Sequence, residues 1–144
     1  MEKMWRLIGV IGILIGIIIM LTPFKLAPVC SGTLELASGM FVPMKCNWTG
    51  HAEVIIGAIV AVNGLLIFFA ARQNPRYLGL MLGVLGIAAI AIPSNLGIGV
   101  CMNPEMSCHT TKSVITMWGG LLIFLGIAGQ FTHLLPWQNE SQQI

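Results

Sequence analysis

Residues 7–21 read LIGVIGILIGIIIML, a run without one charged or hydrogen-bonding side chain. A helix needs about 20 predominantly apolar residues to cross the hydrocarbon core of a bilayer, and the neighbouring residues extend this run to a predicted span at 5–23. Three further apolar segments are long enough in the same way, at 53–71, 77–95 and 114–135. The sequence therefore predicts an all-α membrane protein with four transmembrane helices in a single domain, residues 1–144.

The composition indicates that lipid surrounds the chain. Of its 144 residues, 56% are hydrophobic and 8% are charged, and the mean hydropathy is +0.89. A soluble domain has roughly 25% charged residues, so this chain cannot cover itself with a polar surface. The net charge of +2 is too small to indicate binding to nucleic acid. Tryptophans fall near the ends of the predicted spans, as in an aromatic belt, at Trp5, Trp48, Trp118 and Trp137.

Positive charges predict how the chain crosses the membrane. Lys3 and Arg6 precede the apolar run at 7–21, and RQNPR at 72–76 joins the second span to the third. Because lysine and arginine are enriched in cytoplasmic loops, we expect the termini and this turn to face the cytoplasm of a cell membrane. The two longer loops then lie outside. We expect the first span to remain as an anchor, since Val29 is poorly suited to signal cleavage before Cys30.

The two halves of the chain share matches in the same order. A shift of 70 residues places Gly9, Gly16 and Pro23 on Gly79, Gly86 and Pro93. Further matches join Val29-Cys30 to Val100-Cys101, MKCNWT at 44–49 to MSCHTT at 106–111, and GLLIF at 64–68 to 120–124. We therefore predict two tandem-repeat helical hairpins, residues 5–71 and 77–135, related by an axis along the membrane normal.

Small and polar residues within the spans predict how the helices pack. GxxxG motifs at 12–16 and 79–83 let helix backbones approach closely. Asn63 is expected to form an interhelical hydrogen bond, and Glu53 to begin the second helix, where a carboxylate favours the helix dipole. The middle of the spans lacks Asp, Glu, Lys and Arg, which transporters and pumps usually carry. We expect neither autonomous transport nor an enzyme, and no catalytic residues.

The four cysteines lie in the two outer loops, at Cys30, Cys46, Cys101 and Cys108. Outside the cytoplasm, paired cysteines tend to form disulfides. Since each loop holds two, we predict the local pairs Cys30–Cys46 and Cys101–Cys108. The crossed pairs Cys30–Cys108 and Cys46–Cys101 remain the alternative.

Two other chemistries are open to these loops. Thioether and imidazole groups suit copper, and imidazole also suits zinc. The candidate metal ligands are Met40, Met44, His51, Met102, Met106 and His109. Thiol–disulfide exchange is a further alternative, although the spacings C-x15-C and C-x6-C differ from the CxxC of most redox enzymes.

MKCNWTGHAE at 44–53, followed by Cys101 and by MSC at 106–108, resembles an uncharacterised prokaryotic family of small four-helix membrane proteins. The family is a domain of unknown function that covers nearly the whole chain, and M-x-C-x-W-T-G-x-A-E is its most specific element. Some members sit beside ABC transporter permeases of the macrolide-exporter type. The resemblance implies an accessory subunit of a larger membrane complex, with an ABC transporter permease as candidate partner. It implies no activity and no site residues.

Overall fold

The computed structural model describes residues 2–29, 32–72, 76–100 and 107–131. The elements, in chain order, are α1 (Glu2–Leu21), a π-helical turn (Thr22–Leu26), β1 (Thr33–Glu35), β2 (Phe41–Pro43), α2 (Lys45–Ala70), α3 (Arg76–Ala91) and α4 (Ser107–Phe131). The described part of the chain is thus helical, with four helices and one small hairpin of strands. The apolar runs in the sequence predicted the helices, but the hairpin was not predicted.

Three helices are long and apolar enough to cross a membrane. They are α1 with its π-helical turn, α2 and α4, with mean hydropathies of 2.7, 2.3 and 1.8. The remaining helix, α3, has 16 residues. Its length is about 24 Å at 1.5 Å per residue, which is less than a hydrocarbon core of about 30 Å. The prediction of a helical membrane protein is therefore confirmed, and the predicted length of the third helix is wrong.

Proline explains why α3 ends at Ala91 and not near residue 95. Pro93 lacks the N–H that would continue the helix, and the chain turns instead, with Ser94 N donating to the Ala91 carbonyl at 3.2 Å. Gly99, at a φ of 79° that favours glycine, donates back to the Ile92 carbonyl at 3.1 Å. These turns fold the chain back onto the end of α3, where Gly97 packs against the Ala91 and Ile92 carbonyls.

The second and fourth helices begin earlier than the predicted residues 53 and 114. Their first two turns are polar in sequence but buried on one side, because Cys46 and Thr49 in α2, and Cys108 and Thr111 in α4, face the interior of the bundle. Residues three apart lie on the same face of a helix. A boundary drawn where the continuous apolar run begins misses such turns.

The hairpin lies between α1 and α2. Its strands are antiparallel, with Thr33 opposite Pro43 and Glu35 opposite Phe41. The turn between them includes Gly39 at a φ of 77°, a conformation that glycine adopts without a steric cost. All three residues of β2 are exposed, so the hairpin stands outside the packed bundle.

Glycine sets the closest helix contacts within the α1–α2 pair. A Cβ atom added at Gly16 would lie 2.5 Å from the Ala61 nitrogen, and one added at Gly64 would lie 2.8 Å from the Gly9 oxygen. Such distances leave no room for a side chain, so the two backbones are in direct contact. In lipid the hydrophobic effect does not drive helices together, so the van der Waals contacts of close packing stabilise the pair.

The α3–α4 pair has the same kind of contact. A Cβ atom at Gly86 would lie 2.7 Å from the Gly119 oxygen, and one at Gly126 would lie 2.9 Å from the Gly79 oxygen. Gly120, by contrast, has nothing within 4 Å. The GLLIF match therefore pairs residues in unlike surroundings, since Gly64 is packed and Gly120 is open.

Trp5 joins the two helix pairs and does not belong to an aromatic belt. Its side chain is 2% exposed, and its Cη2 atom lies 3.0 Å and 2.8 Å from Cβ positions built at Gly79 and Gly129. The missing side chains of these glycines leave the space that the indole fills. The expectation that Trp5 marks the membrane interface is wrong, because a ring of this size buries most favourably in the core.

Polar contacts gather at one end of the bundle, which we call the arginine end (Glu2, Arg6, Arg72, Arg76). A carboxylate oxygen of Glu2 accepts from Arg6 Nη2 at 2.6 Å and from Arg72 Nε at 3.3 Å. Gln130 Nε2 donates to the Arg76 carbonyl at 2.8 Å. Between the ends, apolar side chains cover the outside of the bundle and indicate contact with lipid, among them Leu14, Val62, Phe69, Val84, Phe124 and Ile127.

Candidate functional site

Cys46 and Cys108 lie at corresponding positions, each in the first turn of its helix, at the end of the bundle opposite the arginine end. Both are fully buried. They line one narrow gap, together with Val29, Thr49, Pro93, Val100, Thr111, Lys112 and Ile115. We call this region the cysteine end. It brings together residues from all four helices or from the segments that follow them.

Two threonine hydrogen bonds cross from one helix pair to the other at the cysteine end. Thr49 of α2 donates to the Gly99 carbonyl at 2.8 Å, in the segment after α3. Thr111 of α4 donates to the Ala27 carbonyl at 2.6 Å, in the segment after α1. Both bonds are buried, so each satisfies a carbonyl that water does not reach. Each threonine therefore fixes a long helix to the loop segment of the other pair.

Cys30 and Cys101 lie outside the described residues. Their chain neighbours Val29 and Val100 are described, and both line the gap that contains Cys46 and Cys108. The predicted local pairing of the cysteines therefore stays a prediction.

The candidate metal ligands have varied surroundings. Met40 is 65% exposed in the hairpin, while Met44 precedes α2 and is half-buried. His51 is exposed; its Nδ1 lies 2.9 Å from the Asn47 carbonyl, and its ring contacts Phe24 edge to face. His109 is half-buried in the first turn of α4. Met102 and Met106 lie outside the described residues.

The described ranges contain no cluster of His, Cys, Asp and Glu side chains suited to a metal ion. Among residues 2–29, 32–72, 76–100 and 107–131, no group of three or more His, Cys, Asp and Glu side chains could hold a metal ion. His109 instead borders a shallow surface depression, together with Lys112, Ser113, Thr116 and Met117. Copper or zinc binding therefore stays a prediction.

Glu53 is the residue whose surroundings sequence reasoning missed. It was expected to begin the second helix, but α2 begins at Lys45, and Glu53 is fully buried. Neither of its carboxylate oxygens has a hydrogen-bond partner within the described residues. The signal was present in the spacing, because Cys46, Thr49 and Glu53 follow one another at intervals of three and four and so share a helix face.

Asn63 lies at the interface of α2 and α3. Its side-chain nitrogen donates to the Leu78 carbonyl at 3.1 Å, and the residue is 5% exposed. The amide therefore joins the two helix pairs in the interior. Leu78 is next to Gly79, which Trp5 contacts, so the pairs are linked near the arginine end by Asn63 and Trp5 and at the cysteine end by the threonine bonds.

The hairpin presents apolar groups to its surroundings. Met40, Phe41 and Val42 are 65%, 68% and 40% exposed, and Leu36 is 48% exposed. The Met44 nitrogen donates to the Gly32 carbonyl at 3.3 Å, which connects the hairpin to the start of α2. The exposed apolar group therefore stands at the cysteine end.

These features define a small helical membrane protein in which hydrogen bonds join the two helix pairs at the cysteine end and a hairpin is exposed beside it. Residues 12–132, most of the chain, match the domain of unknown function DUF4418, and the protein belongs to this family. The resemblance drawn from the loop motifs is thereby confirmed. No curated protein and no solved structure matches the chain.

Proposed function

We propose that this protein is a non-enzymatic, multi-pass subunit of a larger membrane complex. The observation that carries the proposal is the exposed hairpin. Met40, Phe41 and Val42 are exposed apolar residues of the hairpin that precedes the long helix α2. Exposed apolar patches of this kind mark sites of interaction, and the open edges of a two-stranded sheet can pair with a strand of another chain.

In-cell photocrosslinking tests this proposal. A photoreactive amino acid placed at Phe41 should form a crosslink to one discrete protein, while the same residue placed at exposed Lys25 in the π-helical turn should not. Phe41→Ser should also reduce copurification of that protein in mild detergent. Crosslinks from position 41 to lipid alone would contradict the proposal and would place the hairpin on the bilayer surface.

The resemblance supplies the first partner to examine. ABC transporter permeases sit beside some members of the family, and a subunit with an apolar outer hairpin suits a role in stabilising or regulating such a permease. Mass spectrometry of the Phe41 crosslink should identify a permease subunit. If the crosslinked protein is of another class, the accessory role still holds, but the permease is not the partner.

Four membrane crossings, in two tandem hairpins, complete the proposed architecture. The support is the correspondence of close contacts: Gly64 meets the Gly9 oxygen as Gly126 meets the Gly79 oxygen. These positions are related by shifts of 70 residues for the first helices and 62 for the second. In this alignment Cys46 and Thr49 correspond to Cys108 and Thr111, so GLLIF is not part of the correspondence.

The arginine end is proposed to face the cytoplasm and the cysteine end the outside. Arg6 and Arg72 converge on Glu2 at one end, and such positive residues favour the cytoplasmic side. A membrane-impermeant thiol reagent should modify Met40→Cys, a change at a position 65% exposed in the hairpin, in intact cells. Modification that requires lysis would reverse the orientation.

Disulfides are proposed to hold the cysteine end together, in the local pairs Cys30–Cys46 and Cys101–Cys108, with the crossed pairs as the alternative. Thr49, one turn after Cys46, is bonded to the carbonyl of Gly99, two residues before Cys101. Thr111, one turn after Cys108, is bonded to the carbonyl of Ala27, three residues before Cys30. These two bonds are consistent with the crossed alternative. Val29, the residue before Cys30, lies 3.1 Å from a Cβ position built at Gly50, one turn after Cys46, and this contact is consistent with the local pair.

Peptide mapping without reduction distinguishes the pairings. We expect fragments that join Cys30 to Cys46 and Cys101 to Cys108. Fragments that join Cys46 to Cys101 and Cys30 to Cys108 would support the crossed pairs. Four alkylatable thiols together with bound zinc or copper would support the metal alternative, and thiols that exchange with an added disulfide substrate would support an oxidoreductase.

A further inference from the structure

Glu53 lies deep along α2. It is eight residues beyond Lys45, where the helix begins, which is about 12 Å along the axis at 1.5 Å per residue. The 26 residues of α2 span about 39 Å, so a centred helix extends about 4–5 Å beyond each side of a core about 30 Å thick. The carboxyl group therefore lies within the hydrocarbon depth of the membrane.

The packing around Glu53 excludes water. One turn to either side of it, α2 carries Gly50 and Gly57, and both are closed against other backbone or side chains. A Cβ atom at Gly50 would lie 3.1 Å from Val29, and one at Gly57 would lie 2.8 Å from the Gly16 oxygen. The neighbouring gap at the cysteine end is too narrow for a water molecule. Glu53 itself has no exposed surface.

No described side chain compensates the carboxyl group. Both of its oxygens lack a hydrogen-bond partner within the described residues. An isolated ionised carboxylate in such surroundings has a very large desolvation cost, and a group in this position takes up a proton instead. We propose that Glu53 is a proton-binding site within the membrane interior of the bundle, occupied when the protein is folded at neutral pH.

A proton fits this position better than other cations. Calcium and magnesium take six or more oxygen ligands, or keep several waters, and the packing here provides neither. A basic side chain of a partner protein could reach Glu53 only if the packed helices separated, since the carboxyl has no exposed surface. A proton needs no additional space.

The site lies on the same helix face as the crossing hydrogen bond of Thr49, one turn away. Loss of the proton would place an unpaired charge against the α1–α2 contact, directly beneath the cysteine end. Intramembrane ionisable residues are functional-site candidates for this reason. The inference does not depend on the accessory role, because it concerns only the state of this carboxyl.

Infrared spectroscopy of the full chain in lipid vesicles tests the proposal. At neutral pH the wild-type protein should show the C=O stretching band of a protonated carboxyl group. This band shifts when deuterium replaces the carboxyl proton, either directly in D₂O or, where exchange is slow, after unfolding in D₂O. Glu53→Gln, which preserves shape, should remove the band. Glu35→Gln, a change at an exposed acid in β1, should leave it unchanged. A band that survives Glu53→Gln, or no band in the wild-type protein, overturns the proposal.

A second chain covers the case in which Glu53→Gln does not fold. The sequence has five acidic residues, all glutamates. Replacement of the other four by glutamine (Glu2→Gln, Glu35→Gln, Glu105→Gln and Glu140→Gln) leaves Glu53 as the remaining side-chain carboxyl, and the band should persist. Loss of the band in this chain would overturn the assignment.

Discussion

The α1–α2 pair and the α3–α4 pair are closed by glycines at corresponding places, yet they differ in what they bury. At a shift of 62 residues, Ile115 of α4 stands where α2 has Glu53, and Leu125 stands where α2 has Asn63. Glu53 and Ile115 are both fully buried. Close glycine contact therefore occurs in both pairs, whereas the buried carboxyl and amide groups occur in α2 and have apolar counterparts in α4.

The difference separates structure from candidate chemistry. The glycine contacts recur in both pairs, as expected of features that maintain helix packing. The carboxyl group occurs in one pair, where it lowers stability unless it binds a proton. Residues that reduce stability without improving packing are the ones for which function is the natural explanation.

The largest effect is expected from making the second pair like the first. Ile115→Glu removes a fully buried apolar side chain and places a carboxyl in the core of the bundle. We expect a loss of about 3–5 kcal/mol, because the lost burial of isoleucine costs about 1.5–3 kcal/mol and a buried carboxyl without a hydrogen-bond partner adds about 1–3 kcal/mol. Unfolding in detergent measures it, with Thr110→Glu, at an exposed position in the first turn of α4, as control. Near-native stability of Ile115→Glu would show that the α4 position tolerates an acid.

Glycine substitutions sharpen the comparison at the shared contacts. Gly64→Ala and Gly126→Ala each place a Cβ atom 2.7–2.8 Å from a backbone nitrogen of the facing helix. Because backbone must move, we expect each to cost about 1–3 kcal/mol, by similar amounts. Gly120→Ala, with nothing within 4 Å, should cost little in the same thermal unfolding assay. Unequal costs would indicate that the two pairs are held differently.

The crossing hydrogen bonds should contribute equally to the cysteine end. Thr49→Val and Thr111→Val keep the shape of the side chain and remove the donor to Gly99 or to Ala27. We expect each to cost about 1 kcal/mol. Thr116→Val removes only an exposed bond within α4 and should be neutral. If only one of Thr49→Val and Thr111→Val lowers the unfolding midpoint, only that hydrogen bond stabilises the cysteine end.

The smallest effect is expected where α2 is made like α4. Asn63→Leu copies Leu125 and removes the 3.1 Å bond to the Leu78 carbonyl. Interhelical hydrogen bonds in membranes average about 0.6 kcal/mol, so the change should be small in an equilibrium unfolding titration. A loss of several times that value would mean that Asn63 organises more than one contact.

Particular residues show how far the sequence could be read. The run at 7–21 predicted α1, and the GxxxG motifs predicted close helix contact, because both signals are local in the chain. The helix starts at Lys45 and Ser107 were missed, since Cys46 and Thr49 are polar residues that are buried only because other segments cover them. The hairpin was missed because its strands are three residues each, too short to show alternation.

By itself, the sequence determined that lipid surrounds this protein and that its helices pack through glycine, because composition and periodicity follow from covalent order. Only the tertiary structure decided which residues meet. It joined Thr49 to Gly99 and Thr111 to Ala27 across the two helix pairs, and it enclosed Glu53 without a hydrogen-bond partner among the described residues. Burial and partnership depend on segments that are distant in the chain, and a local pattern carries no information about what covers it.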